Sequence, residues 1–191
     1  MVPLLSIGET DKLKKVFTTV TQEDIFNNSP FIIKKINGKF KTSINHLGII
    51  KMFLKRKKTF GESENLRLLI RDTITQTDYE RIQSLTGEVI VTVSNLSTMI
   101  VEYMAAKDCS YDDFCDWIWA STSLVPFMSL VTKNGYEYAD GGMGDIVPIY
   151  HAIQKGATDI DIIVLKTGRS LKKQKLYEMH WMLQQEFLIL C

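Results

Sequence analysis

The 191-residue sequence lacks the features that identify disulfide-rich, zinc-binding, membrane-spanning and secreted proteins. Its three cysteines, Cys109, Cys115 and Cys191, are odd in number and lack C-x-x-C spacing, so neither a disulfide framework nor a zinc site is indicated. No apolar run approaches the length of a membrane span, and the N-terminal residues have neither the basic start nor the apolar length of a signal peptide. We therefore expect a soluble, cytoplasmic chain.

The sequence also has almost no net charge, because 23 Lys and Arg residues oppose 22 Asp and Glu residues. No global attraction to nucleic acid follows, and we expect no nucleic-acid partner. One basic run, KRKK at Lys55 to Lys58, follows the apolar residues of a predicted helix. A solvated helix end explains this run more simply than a contact with a membrane or a phosphate group.

No internal repeat, low-complexity tract or linker rich in Pro, Gly and Ser divides the chain, so we expect a single domain over residues 1–191. Helical spacing of apolar residues predicts much of the secondary structure. Thr77 and Glu80 have the spacing of a capping box, so we expect a helix to start at Thr77. Gly87 is expected to cap the C-terminus of this helix. The predicted helices cover residues 2–9, 13–20, 45–58, 62–74, 77–87, 148–156 and 170–190. Residues 110–126 are predicted to form a further helix, capped by Ser110, that runs into an exit loop before Pro126.

Short apolar runs predict the strands. EVIVTVSNL (88–96) and IDIIVLK (160–166) lack the alternation of polar residues that a half-exposed strand shows, so we expect strands buried on both faces. Asn37-Gly38 and Asn134-Gly135 predict hairpin turns, because both residue types tolerate a positive φ. Buried strands interleaved with helices predict an α/β fold with a mainly parallel central sheet.

An aspartate ends the strand that follows the second hairpin. Gly141 and Gly142 come directly after Asp140 and allow the backbone to turn sharply, which leaves the carboxylate at the strand end, where α/β sheets commonly place their sites. Asp-Gly-Gly is also a common turn composition, so a turn with only a structural role stays open as an alternative. A divalent-cation site formed by Asp140 and Asp145 is a weak alternative, because no further oxygen-rich cluster lies nearby in the sequence.

An ordered set of motifs over residues 117–167 resembles the patatin-like phospholipase family. Each motif alone is common, and the specificity comes from their order. The set consists of a helix ending in Ala120-Ser121, Pro126, the Asn134-Gly135 hairpin, Asp140-Gly141-Gly142, Pro148 and Gly156-Ala157 before a strand. GESENLRLLI and VIVTVSNLSTMIVEYM upstream also look like bacterial members of this family.

This resemblance implies a three-layer α/β fold and a serine acyl hydrolase that works with a Ser-Asp dyad and no catalytic histidine. Asp140 matches the dyad aspartate, the general base that accepts the serine proton. Gly141 and Gly142 would support its backbone. The resemblance implies neither a metal nor an organic cofactor. It implies a lipid or small ester as substrate, with a membrane surface and a second copy of the chain as further partners to test.

The sequence departs from the family pattern at the nucleophile. No G-x-S-x-G occurs, since GESEN at Gly61 to Asn65 ends in asparagine and opens a helix without a buried strand before it. No glycine-rich oxyanion loop is present either. We therefore expect an N-terminally truncated patatin-like domain that lacks the first strand, the oxyanion loop and the nucleophile elbow. Loss of a central strand would leave backbone groups unpaired, so we expect the isolated chain to oligomerise or aggregate.

Two other functions stay open at this point. The missing serine is compatible with a catalytically dead patatin-like module that binds lipid or protein. A Cys-His hydrolase is a third hypothesis, although no spacing selects a pair. Its candidate residues are Cys109, Cys115, His46, His151 and His180.

Overall fold

The structure of the chain is a computed structural model that describes residues 2–164 and 187–190. The α-helices are α1 (Val2–Ser6), α2 (Thr10–Thr19), α3 (Gln22–Ile25), α4 (His46–Leu54), α5 (Glu64–Thr73), α6 (Gln76–Gln83), α7 (Tyr111–Ser121) and α8 (Ile149–Gln154), with short 3₁₀ helices at Ala106–Asp108 and Gly141–Met143. The strands are β1 (Phe31–Ile36), β2 (Lys39–Ile44), β3 (Ile90–Asn95), β4 (Ile100–Ala105), β5 (Val131–Lys133), β6 (Tyr136–Asp140), β7 (Asp161–Val164) and β8 (Phe187–Leu190).

The four-stranded sheet has the order β4-β3-β6-β5, and every pairing in it is antiparallel. The mixture of helices and strands agrees with the α/β prediction, but the predicted mainly parallel sheet is wrong. A short turn at residues 96–99 joins β3 to β4, and Asn134-Gly135 joins β5 to β6. Connections of this length allow only antiparallel neighbours, because a parallel pair needs a long crossover. The apolar run in β3 reflects its burial and does not report strand direction.

Both Asn-Gly hairpins are confirmed. Asn37 and Gly38 have φ values of 50° and 73°, and Asn134 and Gly135 have φ values of 53° and 81°. Two positive φ values in succession are the requirement of the tight turn whose twist matches a hairpin.

The strand expected at residues 160–166 exists as β7, which pairs with β8 in an antiparallel two-stranded sheet. Asp161 and Ile162 are exposed, so the expected burial on both faces is wrong for this part of the strand. The helix expected over residues 170–190 is wrong at its end, because Phe187–Leu190 forms β8. Its remaining part, residues 170–186, lies outside the described residues.

Helix α6 starts two residues earlier than its sequence signal suggested. Thr75 is the N-cap, and its hydroxyl accepts the backbone N–H of Asp78 while the Asp78 carboxylate accepts the N–H of Thr75. The predicted box at Thr77 and Glu80 has the same spacing, so sequence could not distinguish the two registers. Gly87 lies four residues beyond the end of α6 and does not cap it.

Helix α7 carries the core that supports the sheet. The Ser110 hydroxyl caps its N-terminus by accepting the backbone N–H of Asp113, as expected. Phe114, Trp117 and Ile118 are buried, and the Trp117 ring meets the Tyr138 ring of β6 edge-on at 4.9 Å. The aromatic stripe of α7 is therefore core, and it fixes the position of the strand that ends at Asp140.

Candidate functional site

Asp140 is the last residue of β6, at the end of the predicted hairpin. It lies opposite Val93 in the antiparallel register with β3. Its backbone N–H donates a hydrogen bond of 3.2 Å to the carbonyl of Ser123, which is fully buried just beyond α7. The sheet and the end of α7 thus hold the Asp140 backbone from two sides.

The turn after Asp140 requires a glycine at Gly141. A Cβ at this position would lie 2.5 Å from the Thr92 carbonyl oxygen, which belongs to the backbone of β3 and cannot swing aside. Gly144, whose role sequence reasoning missed, is similarly confined, because a Cβ there would lie 2.3 Å from Cγ2 of Val101. The only sequence signal for Gly144 was its place in the glycine-rich run DGGMGD. Close packing of the turn against β3 and β4 therefore explains two of these glycines.

The Asp140 carboxylate is held by its own turn. Its Oδ1 atom accepts a hydrogen bond of 2.8 Å from the backbone N–H of Gly142, which begins the 3₁₀ turn Gly141–Met143. Within the described residues, no other hydrogen bond and no ion pair reaches this carboxylate. One oxygen is thus anchored, and the other, Oδ2, has no such contact.

Burial raises the pKa of Asp140, and the hydrogen bond from Gly142 opposes this increase only in part. Desolvation disfavours the charged carboxylate, and no cation of the described residues compensates for it. A carboxylate with a raised pKa is a stronger proton acceptor than an ordinary surface aspartate. The position can therefore support acid-base chemistry.

Asp145, the other acid of the turn, has a separate partner. The Tyr103 hydroxyl donates a hydrogen bond of 2.6 Å to its Oδ2 atom, and burial together with this bond raises the pKa of Tyr103 to about 12. Among residues 2–164 and 187–190, no three His, Cys, Asp or Glu side chains lie close enough to hold a metal ion. A cation between Asp140 and Asp145 would therefore lack a third such ligand here.

A cavity of about 540 Å³ lies beside β3, and its wall does not include Asp140 or the turn at residues 141–144. Thr92, which packs against Gly141, forms part of its wall, together with Tyr103 and His151, whose rings stack in parallel at 3.9 Å. Residues Val2 and Ser6 of α1 line it from another side. Sequence reasoning did not foresee this cavity, because α1, β3, β4 and α8 come together only in the fold.

Ser63 of the GESEN stretch has a structural role. It is completely buried, its Oγ accepts the backbone N–H of Ser129 at 3.1 Å, and the Ser129 Oγ accepts the Ser63 N–H at 2.9 Å. The indole N–H of Trp119 also donates to the Ser63 carbonyl. These contacts tie the start of α5 to the segment after α7. They agree with the expectation that Ser63 is not on a nucleophile elbow.

The thiols offer little support for a Cys-His hydrolase. Burial raises the pKa of Cys109, and it raises the pKa of the fully buried Cys115 to about 11. Both thiols are thus disfavoured as thiolates, the form that attacks a carbonyl. His46 is exposed on α4 and His151 stacks on Tyr103, whereas His180 and Cys191 lie outside the described residues.

No helix in residues 2–164 is both long and apolar enough to cross a bilayer.

A half-buried aspartate at a strand end, followed by a glycine-rich turn, marks a candidate acid-base site in this α/β chain. The sequence model of the patatin-like phospholipase family matches residues 3–153, a range that starts within α1, ends within α8 and includes Asp140. The chain belongs to this family, and the resemblance inferred from the motifs is confirmed. No curated protein and no solved structure matches the chain. Family membership supports a lipid-hydrolase kind of function with a lipid as substrate.

Proposed function

We propose that this chain carries the aspartate half of the Ser-Asp dyad of a lipid acyl hydrolase, with Asp140 as the general base. The observation that carries this proposal is the state of the Asp140 carboxylate. It ends a strand inside the family match, burial raises its pKa, and one of its oxygens is fixed by the Gly142 N–H. Gly141 and Gly142 act as backbone supports of the turn.

In the proposed reaction, Oδ2 of Asp140 accepts the proton of the serine hydroxyl as the serine oxygen attacks the ester carbonyl. The tetrahedral intermediate collapses to an acyl-serine, and Asp140 returns the proton to the departing alcohol. A water molecule, deprotonated by the same carboxylate, then attacks the acyl-serine, and Asp140 returns this proton to the serine oxygen as the acid leaves. The anchored Oδ1 would keep the carboxylate in one orientation through both half-reactions.

The nucleophile of this proposal has to come from residues outside the 191, because no G-x-S-x-G occurs in them. The oxyanion donors, which stabilise the intermediate, have to come from there as well. Val2 and Ser6 line the same cavity as Thr92, whose carbonyl packs against Gly141 of the turn.

The test is fluorophosphonate labelling of the product expressed from the native gene, read by intact mass. A fluorophosphonate phosphorylates an activated serine and leaves an unactivated one untouched. We expect a labelled protein heavier than the 21.9 kDa of this chain, with the label outside residues 1–191. An unlabelled product of the mass of this chain would contradict the proposal.

A catalytically dead module that binds lipid or protein is the second candidate. The absence of G-x-S-x-G together with a well-formed core favours it. It predicts saturable binding of phospholipid or a protein partner by the 191-residue chain without any release of fatty acid. Turnover by the native gene product would exclude it.

A further inference from the structure

Residues 31–58, here called the basic-apolar segment, carry an unusual charge for this chain. They include nine basic residues and no Asp or Glu, whereas 14 basic and 22 acidic residues lie elsewhere. The segment therefore has a formal charge of +9, and the rest of the chain has −8. The nearly neutral total hides this strong separation, which creates a local field that attracts anions.

The same segment exposes many large apolar side chains. Phe40 is 75% exposed, Leu47 is 80% exposed and Leu54 is 81% exposed. The other exposed apolar residues of the segment are Ile32, Ile33, Ile36, Ile44, Ile50 and Phe53. An exposed set of this size, concentrated in 28 consecutive residues, is typical of an interaction surface.

The hairpin formed by β1 and β2 carries lysines and apolar side chains on both of its faces. In its register Lys34 lies opposite Lys41, and Ile36 lies opposite Lys39, so one face collects three lysines. The other face includes Ile33 and Phe40, with Lys35 opposite Phe40. Like charges placed directly opposite each other destabilise an isolated hairpin, and an anion bound between them would relieve the repulsion.

Helix α4 continues the pattern. Leu47, Ile50 and Leu54 follow helical spacing and are exposed, with the exposed Lys51 among them. Met52, on the opposite side, is buried and joins the helix to the protein. The side of α4 that faces away from the core is thus an apolar stripe with a basic residue.

Local acids neutralise only the end of the segment. Lys55 and Lys57 pair with Glu62 at 3.5 and 3.3 Å, and Lys58 pairs with Glu137 at 2.5 Å. Across the described part of the chain, the lysines of the hairpin and Lys51 form no ion pair. The prediction of a solvated helix end thus explains the basic run Lys55 to Lys58. It does not explain the lysines of the hairpin or Lys51.

We propose that residues 31–58 dock the protein on an anionic lipid surface. The lysines contact the anionic head groups, and exposed apolar side chains of the hairpin and of α4 enter the interface between head groups and acyl chains. A symmetric contact with a second copy would bring two surfaces of +9 together, and nucleic acid would leave the aliphatic side chains without a partner. Docking on lipid goes beyond the proposed hydrolysis, because it needs no turnover.

The test is co-sedimentation of the full chain with vesicles of phosphatidylcholine, alone or mixed with phosphatidylserine. We expect binding to the mixed vesicles that weakens as salt is added, and at least tenfold weaker binding to phosphatidylcholine alone. Lys39→Glu/Lys41→Glu is expected to weaken binding to the mixed vesicles at least tenfold. The matched control is Lys14→Glu/Lys15→Glu, which changes the net charge equally on exposed residues of α2 and should alter binding less than twofold.

A second variant, Phe40→Ser/Leu47→Ser, keeps the charge and removes two exposed apolar side chains. It is expected to weaken binding at least fivefold at a salt concentration that screens the lysines. Equal binding to both kinds of vesicle would overturn the proposal, and so would equal losses in the hairpin variant and its control. Absence of vesicle binding with capture of an acidic protein by the hairpin lysines would assign the surface to a protein instead. A failure to hydrolyse lipid would leave these binding results unaffected.

Discussion

The backbone N–H of Gly142 donates a 2.8 Å hydrogen bond to Oδ1 of Asp140, two residues earlier in the chain. This contact fixes the carboxylate at the end of β6 without adding a positive charge. Burial therefore dominates, and the pKa of Asp140 is raised. The same geometry that suits a general base also makes the ionised group costly for the folded state.

The first prediction concerns stability against pH. Because the folded pKa of Asp140 is raised above its unfolded value, its contribution to stability is fully present below about pH 3.9, the ordinary aspartate value, and is lost as the pH rises through the folded pKa. Asp140→Asn removes this loss and still offers Oδ1 to the Gly142 N–H. We expect the variant to be more stable than the wild type near neutral pH, with a smaller difference in acid.

Urea unfolding of both proteins across this pH range measures the difference directly. Asp159→Asn, at an exposed position after α8, is the matched control and should show no such dependence. A variant that is less stable than the wild type at neutral pH would show that the carboxylate is not strained by burial.

The second prediction concerns the fit of the turn after Asp140. Gly141→Ala places a methyl group against the Thr92 carbonyl, so the turn or β3 must shift. We expect a loss of about 1 to 3 kcal/mol in the free energy of unfolding. Gly87→Ala is the control, because its added Cβ meets no atom within 4 Å, and it should stay within about 0.5 kcal/mol of the wild type. Equal stabilities of the two variants would mean that Gly141 is not confined.

The third prediction concerns self-association of the isolated chain. Only Val93–Asn95 of β3 pairs with β6, so on that side Ile90–Thr92 have no strand partner among the described residues, and the cavity lies beside them. Such an edge, with apolar side chains nearby, favours pairing with another chain. Sedimentation velocity should show association that increases with concentration. A monodisperse monomer with one cooperative melting transition would contradict this expectation.

Local rules predicted the elements near the site well. The Asn-Gly turn sets the hairpin that delivers Asp140, and Pro148 and Gly156 bracket α8 as expected, with Gly156 at a φ of 95°. These features depend on a few adjacent residues, so their physics is visible in the sequence. Their order along the chain also revealed the family.

Strand direction and the surroundings of the site could not be predicted in the same way. The buried run of β3 is compatible with a parallel or an antiparallel sheet, and only the short connection to β4 decides between them. The stacking of Tyr103 on His151 joins residues 48 positions apart, and no local pattern announces it. The separation of charge in residues 31–58 was present in the sequence, but its exposure is a property of the fold.

The most direct measurement of the central claim is ester hydrolysis by the native gene product before and after Asp140→Asn. If Asp140 is the general base, the rate should decrease by about 10²- to 10⁴-fold while the protein stays folded, and Asp159→Asn should leave the rate unchanged. Loss of activity together with increased stability near neutral pH would be the specific signature of this account. Full activity in the Asp140→Asn variant would contradict it.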